Sequence, residues 1–320
     1  MIHSHELLYD YQINDWNILT KLLDLTPLPF LASINLKSSK INIWKTTNLT
    51  IFSILKGHLG TVSDISFVPF PQILISSGYD ATVKFWNPLT AQCLVTLKLQ
   101  DYRRIKLTLS NDSTLFIMEG AKKIVNNYPI LKSCDIYERR FKDLKNSGTH
   151  QTFIKDFIVL SPKTKRIAYA LEKNIVIFNY ELEFIVKTLK EEDKFSVTTI
   201  QHFTREPLKV ENEFIISSNT GNCLKIWNVF KAQVVIRIQM HQNLGEICQI
   251  QMIQKFDFKL AIVATSYGEI LIININERKL EYEITDFSEE GSAIWSLLYL
   301  SEKNKHYSVS FSFDRKVLDL

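Results

Sequence analysis

The sequence predicts an all-β fold, a seven-bladed β-propeller of four-stranded antiparallel blades. Its ring is closed by an N-terminal strand that pairs with the C-terminal blade. Three observations predict it: an internal repeat, the division of each repeat into short strands and turns, and an unpartnered strand at the N-terminus matched by an incomplete last unit.

The repeat comes first. Shifted by 42 residues, the first hundred positions align without a gap: Pro27 falls on Pro69, Pro29 on Pro71, Trp44 on Trp86 and Leu55 on Leu97. Conservative matches fill the spaces, among them Leu23 on Ile65, Leu25 on Phe67, Ile41 on Val83 and Ile43 on Phe85. A period of about 40–45 residues with four strands per unit is the pattern of propeller blades.

The second unit gives the strands most clearly. Val62–Phe67, Ile73–Ser77, Thr82–Trp86 and Cys93–Leu97 read as strands a to d, and Asn87-Pro88-Leu89-Thr90 as the turn between c and d. Short β-rich runs at this spacing, bounded by turn residues, indicate an all-β architecture. Strand c recurs at Val176–Asn179, Lys225–Asn228, Ile272–Asn274 and, in the third unit, Cys134–Tyr137. The segment Asp314–Leu320 resembles Asp80–Trp86, which makes seven units. The expected blades are 13–56, 57–99, 100–150, 151–190, 191–241, 242–286, and 287–320 joined by 5–11, in a single domain spanning 1–320.

The last unit stops at strand c. His5–Tyr11 precedes the first unit's strand a and supplies the missing fourth strand, which removes an open sheet edge. Trp16, Leu19, Leu22 and Leu23 would share one face of a helix over Asn14–Leu25, but the 42-residue alignment with a strand favours strand.

Composition fits a folded protein with a sizeable core: 46% hydrophobic, 22% charged and 12% aromatic residues in 320. Cys93, Cys134, Cys223 and Cys248 are scattered, without CxxC or His at ligand spacing, as in a reducing compartment. Neither a secretory signal nor a membrane-spanning run is evident, so a soluble intracellular protein, cytoplasmic or nuclear, is expected. Glycine is scarce, at nine residues, so Asn, Asp and Ser are expected at turns.

Leu55-Lys-Gly57-His58, Val62–Phe67 and Ser76-Ser-Gly-Tyr-Asp80-Ala-Thr-Val-Lys-Phe-Trp86-Asn87 closely resemble the WD-repeat signature. The other units match it in part: Asn87 and Asn228 stand where the signature has Asp, and the Gly-His pair is confined to this unit. The resemblance implies a buried hydrogen-bonded network of His58, Ser76 (or Ser77), Asp80 and Trp86. Ser, His and Asp together also suggest a hydrolase triad, but a triad needs an exposed nucleophile, and these positions are ones where a blade needs a buried polar tie.

No phosphate loop, dinucleotide fingerprint, zincin or nucleophile-elbow motif occurs, so no enzyme, metal or cofactor is expected. Between Gln100 and His150 ten Lys and Arg face six Asp and Glu. Arg103, Arg104, Arg139, Arg140 and Lys142 are candidates for a basic patch on the third blade that could contact RNA or an acidic protein; solvated charges beside nearby acids are the plainer reading. The resemblance also implies a face, made by the d–a and b–c connections, that receives peptides. Its aromatic and Arg residues here would be Tyr79, Tyr267, Phe313 and Arg315; local packing explains turn aromatics equally well. The expected function is a non-enzymatic scaffold or adaptor that binds other proteins as a subunit of a larger assembly. The alternative is a ribonucleoprotein component contacting RNA through the third blade.

Overall fold

A computed structural model describes residues 7–10, 19–35, 37–48, 50–99, 105–110, 114–119, 130–138, 140–144, 154–160, 164–192, 194–204, 213–241, 244–255, 258–284, 296–302, 305–311 and 316–319. All described regular elements are strands apart from one short turn of 3₁₀ type near Thr164.

In chain order, β1 (Leu7–Asp10) precedes β2 (Leu19–Asp24), β3 (Phe30–Asn35), β4 (Ile41–Lys45) and β5 (Ile51–Leu55). Then come β6 (Val62–Val68), β7 (Ile73–Gly78), β8 (Thr82–Asn87) and β9 (Gln92–Lys98). The next four are β10 (Ile105–Leu109), β11 (Thr114–Glu119), β12 (Ile130–Asp135) and β13 (Arg140–Asp143). They are followed by β14 (Asp156–Val159), β15 (Arg166–Ala170), β16 (Asn174–Asn179) and β17 (Phe184–Lys190). Next are β18 (Val197–Thr204), β19 (Glu213–Asn219), β20 (Cys223–Asn228) and β21 (Gln233–Gln239). The last are β22 (Ile247–Lys255), β23 (Phe258–Thr265), β24 (Ile270–Asn274), β25 (Lys279–Ile284), β26 (Ser296–Glu302), β27 (Lys305–Phe311) and β28 (Lys316–Asp319).

Six groups of four consecutive strands each form a four-stranded sheet in sequence order, and a further sheet has the order β1-β28-β27-β26. In that sheet Leu7 pairs with Leu318, Tyr9 with Val317 and Asp10 with Lys316, antiparallel.

The expectation of a seven-bladed ring is corrected. The propeller arrangement comprises five blades. Five sheets, β2–β5, β6–β9, β14–β17, β18–β21 and β22–β25, have second and third strands with packed side chains among the described residues. The other two sheets, β10–β13 and β1-β28-β27-β26, have the same four-stranded antiparallel pairing.

That packing follows from strand composition. β7 and β20 are buried along their whole length, as expected of central strands covered on both faces. β9, the outermost strand of its sheet, alternates exposed and half-buried residues. Leu19–Asp24 forms β2, so the strand reading of that segment holds against the helical one.

The chain divides into two compact units. One comprises Asn17–Ile154 with Phe178–Ile185; the other comprises Met1–Trp16, Lys155–Ile177 and Val186–Leu320. In the first, Trp86 of β8 packs into a cluster with Leu25, Ala32, Ile34, Ile41, Ile43 and Leu55 of the preceding sheet. Val68, Ile75, Val83 and Phe85, on the other face of β6–β9, pack against Leu107, Cys134 and Ile136. In the second unit, Phe214, Ile216, Leu224 and Ile226 pack against Ile250, Ala261, Val263, Leu271 and Ile273. Each such aliphatic side chain stabilises by roughly 1.5–3 kcal/mol when fully buried.

The ungapped alignment needs one local change. Ile65 pairs with Ser76, and Leu22 pairs with Ser33, so Leu22, not Leu23, corresponds to Ile65. The offset is 43 residues through strands a and b and 42 through c and d, because the connection from β3 to β4 is one residue longer than that from β7 to β8. A one-residue slip in a strand moves every side chain to the opposite face, so the difference decides which residues enter the core: Leu22 is 5% exposed and Ile65 is 0%.

Turns between the third and fourth strands are built without glycine. Asn87 Oδ1 accepts the N–H groups of Leu89 and Thr90. Asp135, Asn179 and Asn274 accept two backbone N–H groups in the same way, and Asn228 accepts that of Lys231. Four residues after each Asn comes a positive φ at Ala91 (58°), Glu183 (54°), Ala232 (53°) and Arg278 (58°). The recurring Asn after strand c is therefore an acceptor that organises the turn.

Candidate functional site

Among the described residues, the β6–β9 sheet holds the densest polar constellation. Trp86 on β8 donates its Nε1–H to Ser76 Oγ on β7 at 2.8 Å. Ser76 Oγ lies 2.7 Å from His58 Nε2, and His58 Nδ1 lies 2.9 Å from Asp80 Oδ2. Thr82 Oγ1–H donates to Asp80 Oδ1 at 2.7 Å, and the Leu59 N–H donates to Asp80 Oδ2 at 2.8 Å.

Burial lowers the His58 pKa from its ordinary 6.5, outweighing the hydrogen bond and the charge of Asp80, while Lys84 adds to the lowering. His58 is accordingly neutral at pH 7. Ser76 then donates to Nε2, and Nδ1–H donates to the carboxylate, so each donor meets one acceptor. Burial alone would raise the Asp80 pKa, but hydrogen bonds from Thr82, Leu59 and His58 together hold it below 3.8.

Two glycines are required. A Cβ at Gly78 would stand 2.6 Å from His58 Nδ1 and 2.8 Å from Asp80 Oδ1. One at Gly60 would stand 2.9 Å from the backbone nitrogen of Asp80, which cannot swing aside.

The four residues His58, Ser76, Asp80 and Trp86 are thus brought together, whereas Ser77 bonds instead to Ser63 at 2.9 Å. Ser76 is fully buried and accepts an indole N–H, so a substrate carbonyl cannot reach it. The Trp–Ser bond recurs without the histidine: Trp44 donates to Ser33 at 2.8 Å and Trp227 to Ser217 at 2.9 Å. Burial pushes the thiol of Cys134 up to about 12 and that of Cys248 up to about 11. Among the described residues no group of three or more His, Cys, Asp or Glu is placed to hold a metal ion. No described helix is long and apolar enough to cross a membrane.

What the network presents outward is the turn it holds. Leu59 is 95% exposed and Tyr79 47%. Tyr267, in the turn between β23 and β24, is 59% exposed. Phe313 and Arg315 lie outside the described residues, as do Arg103, Arg104 and Arg139. Arg140 is exposed, but Lys142 pairs with Glu183 at 2.5 Å, and Lys132 with Asp143 at 3.1 Å. These pairs offset part of the charge expected of the third-blade patch.

Leu59 was missed from sequence because its neighbours mark structure rather than contact. Its signal was an apolar residue between His58 and Gly60, where the chain has no core to face.

A blade tied by His, Ser, Asp and Trp defines a class, the WD-repeat propellers. Residues 49–87 match the family model for the WD domain, G-beta repeat. The matched repeat makes the chain similar to the WD-repeat β-propeller family. It is 18% identical over 245 residues to "p21-activated protein kinase-interacting protein 1-like" of Danio rerio, an alignment covering 77% of this chain and 61% of that protein. It is 33% identical over 79 residues to "WD repeat-containing protein 89 homolog" of Dictyostelium discoideum, covering 25% of this chain and 22% of that one. A 52-residue segment is 36% identical to "Target of rapamycin complex subunit LST8" of Saccharomyces cerevisiae, covering 16% and 17%. The chain thus spans less than two thirds of each of these relatives' lengths.

Proposed function

We propose that this protein is a non-enzymatic scaffold or adaptor inside the cell, binding other proteins through its exposed turns as a subunit of a larger assembly. Proteins of this family commonly act in that way. The observation that carries the reading is the pair Leu59 and Tyr79, large apolar residues held outward by a buried network that has no access for chemistry. Aromatic and apolar anchors on a rigid support lose little entropy on binding, which suits recognition. Two relatives point the same way, since one is named for interacting with a kinase and another as a subunit of a complex.

The test is purification of the tagged full chain from the cells that make it, at moderate salt and with ribonuclease. Stoichiometric protein partners that survive, and that are lost from a Tyr79→Ala or Tyr267→Ala variant, are expected. Partners that all disappear with ribonuclease would overturn the reading in favour of RNA.

A further inference from the structure

We infer that the end of the β6–β9 sheet carrying Leu59 and Tyr79 takes an acidic peptide segment anchored by one bulky apolar side chain. This rests on the protein-binding reading above and specifies the partner's chemistry.

The argument starts from charge. Residues 17–99 contain seven Lys, no Arg, no Glu and three Asp. Each carboxylate has a partner within the fold: Asp24 accepts from Thr26, Asp64 pairs with Lys21 at 2.5 Å, and the buried Asp80 accepts from the neutral His58. Lys37, Lys40, Lys56 and Lys98 are exposed, and among the described residues none has a carboxylate partner.

Backbone contacts gather these lysines around the apolar pair. The Val62 N–H donates to Ser38 O at 2.9 Å, which brings the turn holding Lys37 and Lys40 beside the segment holding Leu59. The Leu99 N–H donates to Ala81 O at 2.8 Å, and Lys98 pairs in register with Thr82, next to the Tyr79–Asp80 turn. Lys56 lies three residues before Leu59, just after Leu55, which pairs with Ile41 beside Lys40. A Cβ on Gly60 would lie 3.4 Å from that of Tyr79, so Leu59 and Tyr79 flank one small surface.

An apolar centre in a segment of seven lysines and three aspartates, with four of those lysines exposed on the neighbouring turns and strand ends, complements a segment with the opposite charge. A nucleic acid would also meet the charge. It is less well matched, because its interfaces rely on arginine forks and stacked aromatics, and this surface offers a leucine, one tyrosine and lysines only.

The experiment pans the full-length chain against a random library of displayed 12-residue peptides, then measures the best selected peptide, fluorescently labelled, by anisotropy. A dodecauridine RNA is titrated in parallel. Expected are peptides with Asp or Glu around one Leu, Phe or Trp. Their affinity should fall roughly tenfold in Leu59→Ser and in the double variant Lys56→Glu/Lys98→Glu, and should weaken with salt. Thermal midpoints of both variants should match the parent, since the altered side chains are exposed.

Peptides that are neutral or basic, or that bind Leu59→Ser as well as the parent, would overturn the acidic-segment inference. They would leave the protein-binding reading standing. RNA binding lost in the same variants, with no acidic peptide selected, would overturn it too, as would selection of no peptide at all. Failure of the protein-binding reading is seen separately, in the loss of every purified protein partner with ribonuclease.

Discussion

Trp86 donates its indole N–H to Ser76 at 2.8 Å, and among the described residues only in this sheet does the serine go on to meet a histidine. Ser76→Ala therefore strips a partner from both Trp86 Nε1–H and His58 Nε2. The expected loss is about 2–3 kcal/mol in urea unfolding, against about 1 kcal/mol for Ser33→Ala, where one bond is lost. Equal losses at the two serines would show that the histidine link adds nothing to stability.

Acid should weaken the fold through His58. Burial sets its pKa below the ordinary 6.5, so under pH 6.5 the unfolded chain takes up a proton that the folded chain resists. The stabilisation is complete above pH 6.5 and is lost as pH falls from there through the lower folded-state value. Asp80, held below 3.8, acts in a more acidic window: its contribution is present above 3.8 and lost as pH drops further. Thermal midpoints recorded from pH 8 to 5 should decline less steeply in His58→Gln than in the parent.

Ala91 and Ala232 adopt φ values of 58° and 53°, where a Cβ is crowded and glycine is not. Ala91→Gly and Ala232→Gly are each expected to stabilise by up to about 1 kcal/mol, the relief of strain exceeding the added freedom of the unfolded chain. Glycine at the neighbouring Gln92, within β9, should destabilise instead. Chemical denaturation midpoints distinguish the two cases.

Lys225 and Glu191 form an ion pair with side chains 4% and 1% exposed. Lys225→Met leaves a carboxylate buried without its cation and should cost about 3–5 kcal/mol. Adding Glu191→Leu should restore much of that, since two apolar groups require no desolvation of charge. A double-mutant cycle in urea measures the coupling.

The sequence carried the blade that keeps the full signature, because Gly57, His58, Ser76, Asp80 and Trp86 each need a specific residue type. It also carried strand c wherever an Asn follows to organise the turn, but in the third unit the expected Cys134–Tyr137 straddles the end of β12 and the turn that Asp135 organises. It did not carry the one-residue longer connection after β3, since Trp44 and Trp86 align at 42 whichever way strands a and b are set. Charge counted over the third unit drew attention to its arginines, while Lys37, Lys40, Lys56 and Lys98 lie dispersed along the chain. They become a group only through hydrogen bonds such as Val62 N–H to Ser38 O. Blade number was misjudged because recurring strand-c motifs count four-stranded sheets, of which seven form, and not the five blades of the propeller arrangement.

The pairing of Leu7–Asp10 with Lys316–Asp319 has a consequence in time. During synthesis from the N-terminus, β1 emerges well before its hydrogen-bonding partner, with β2 to β27 between them. At translation rates of roughly 5–20 residues per second, β1 waits tens of seconds with its backbone unpaired by β28. A nascent chain stalled before Lys316 would present that strand, still unmatched, to any chaperone or protease that reads extended backbone.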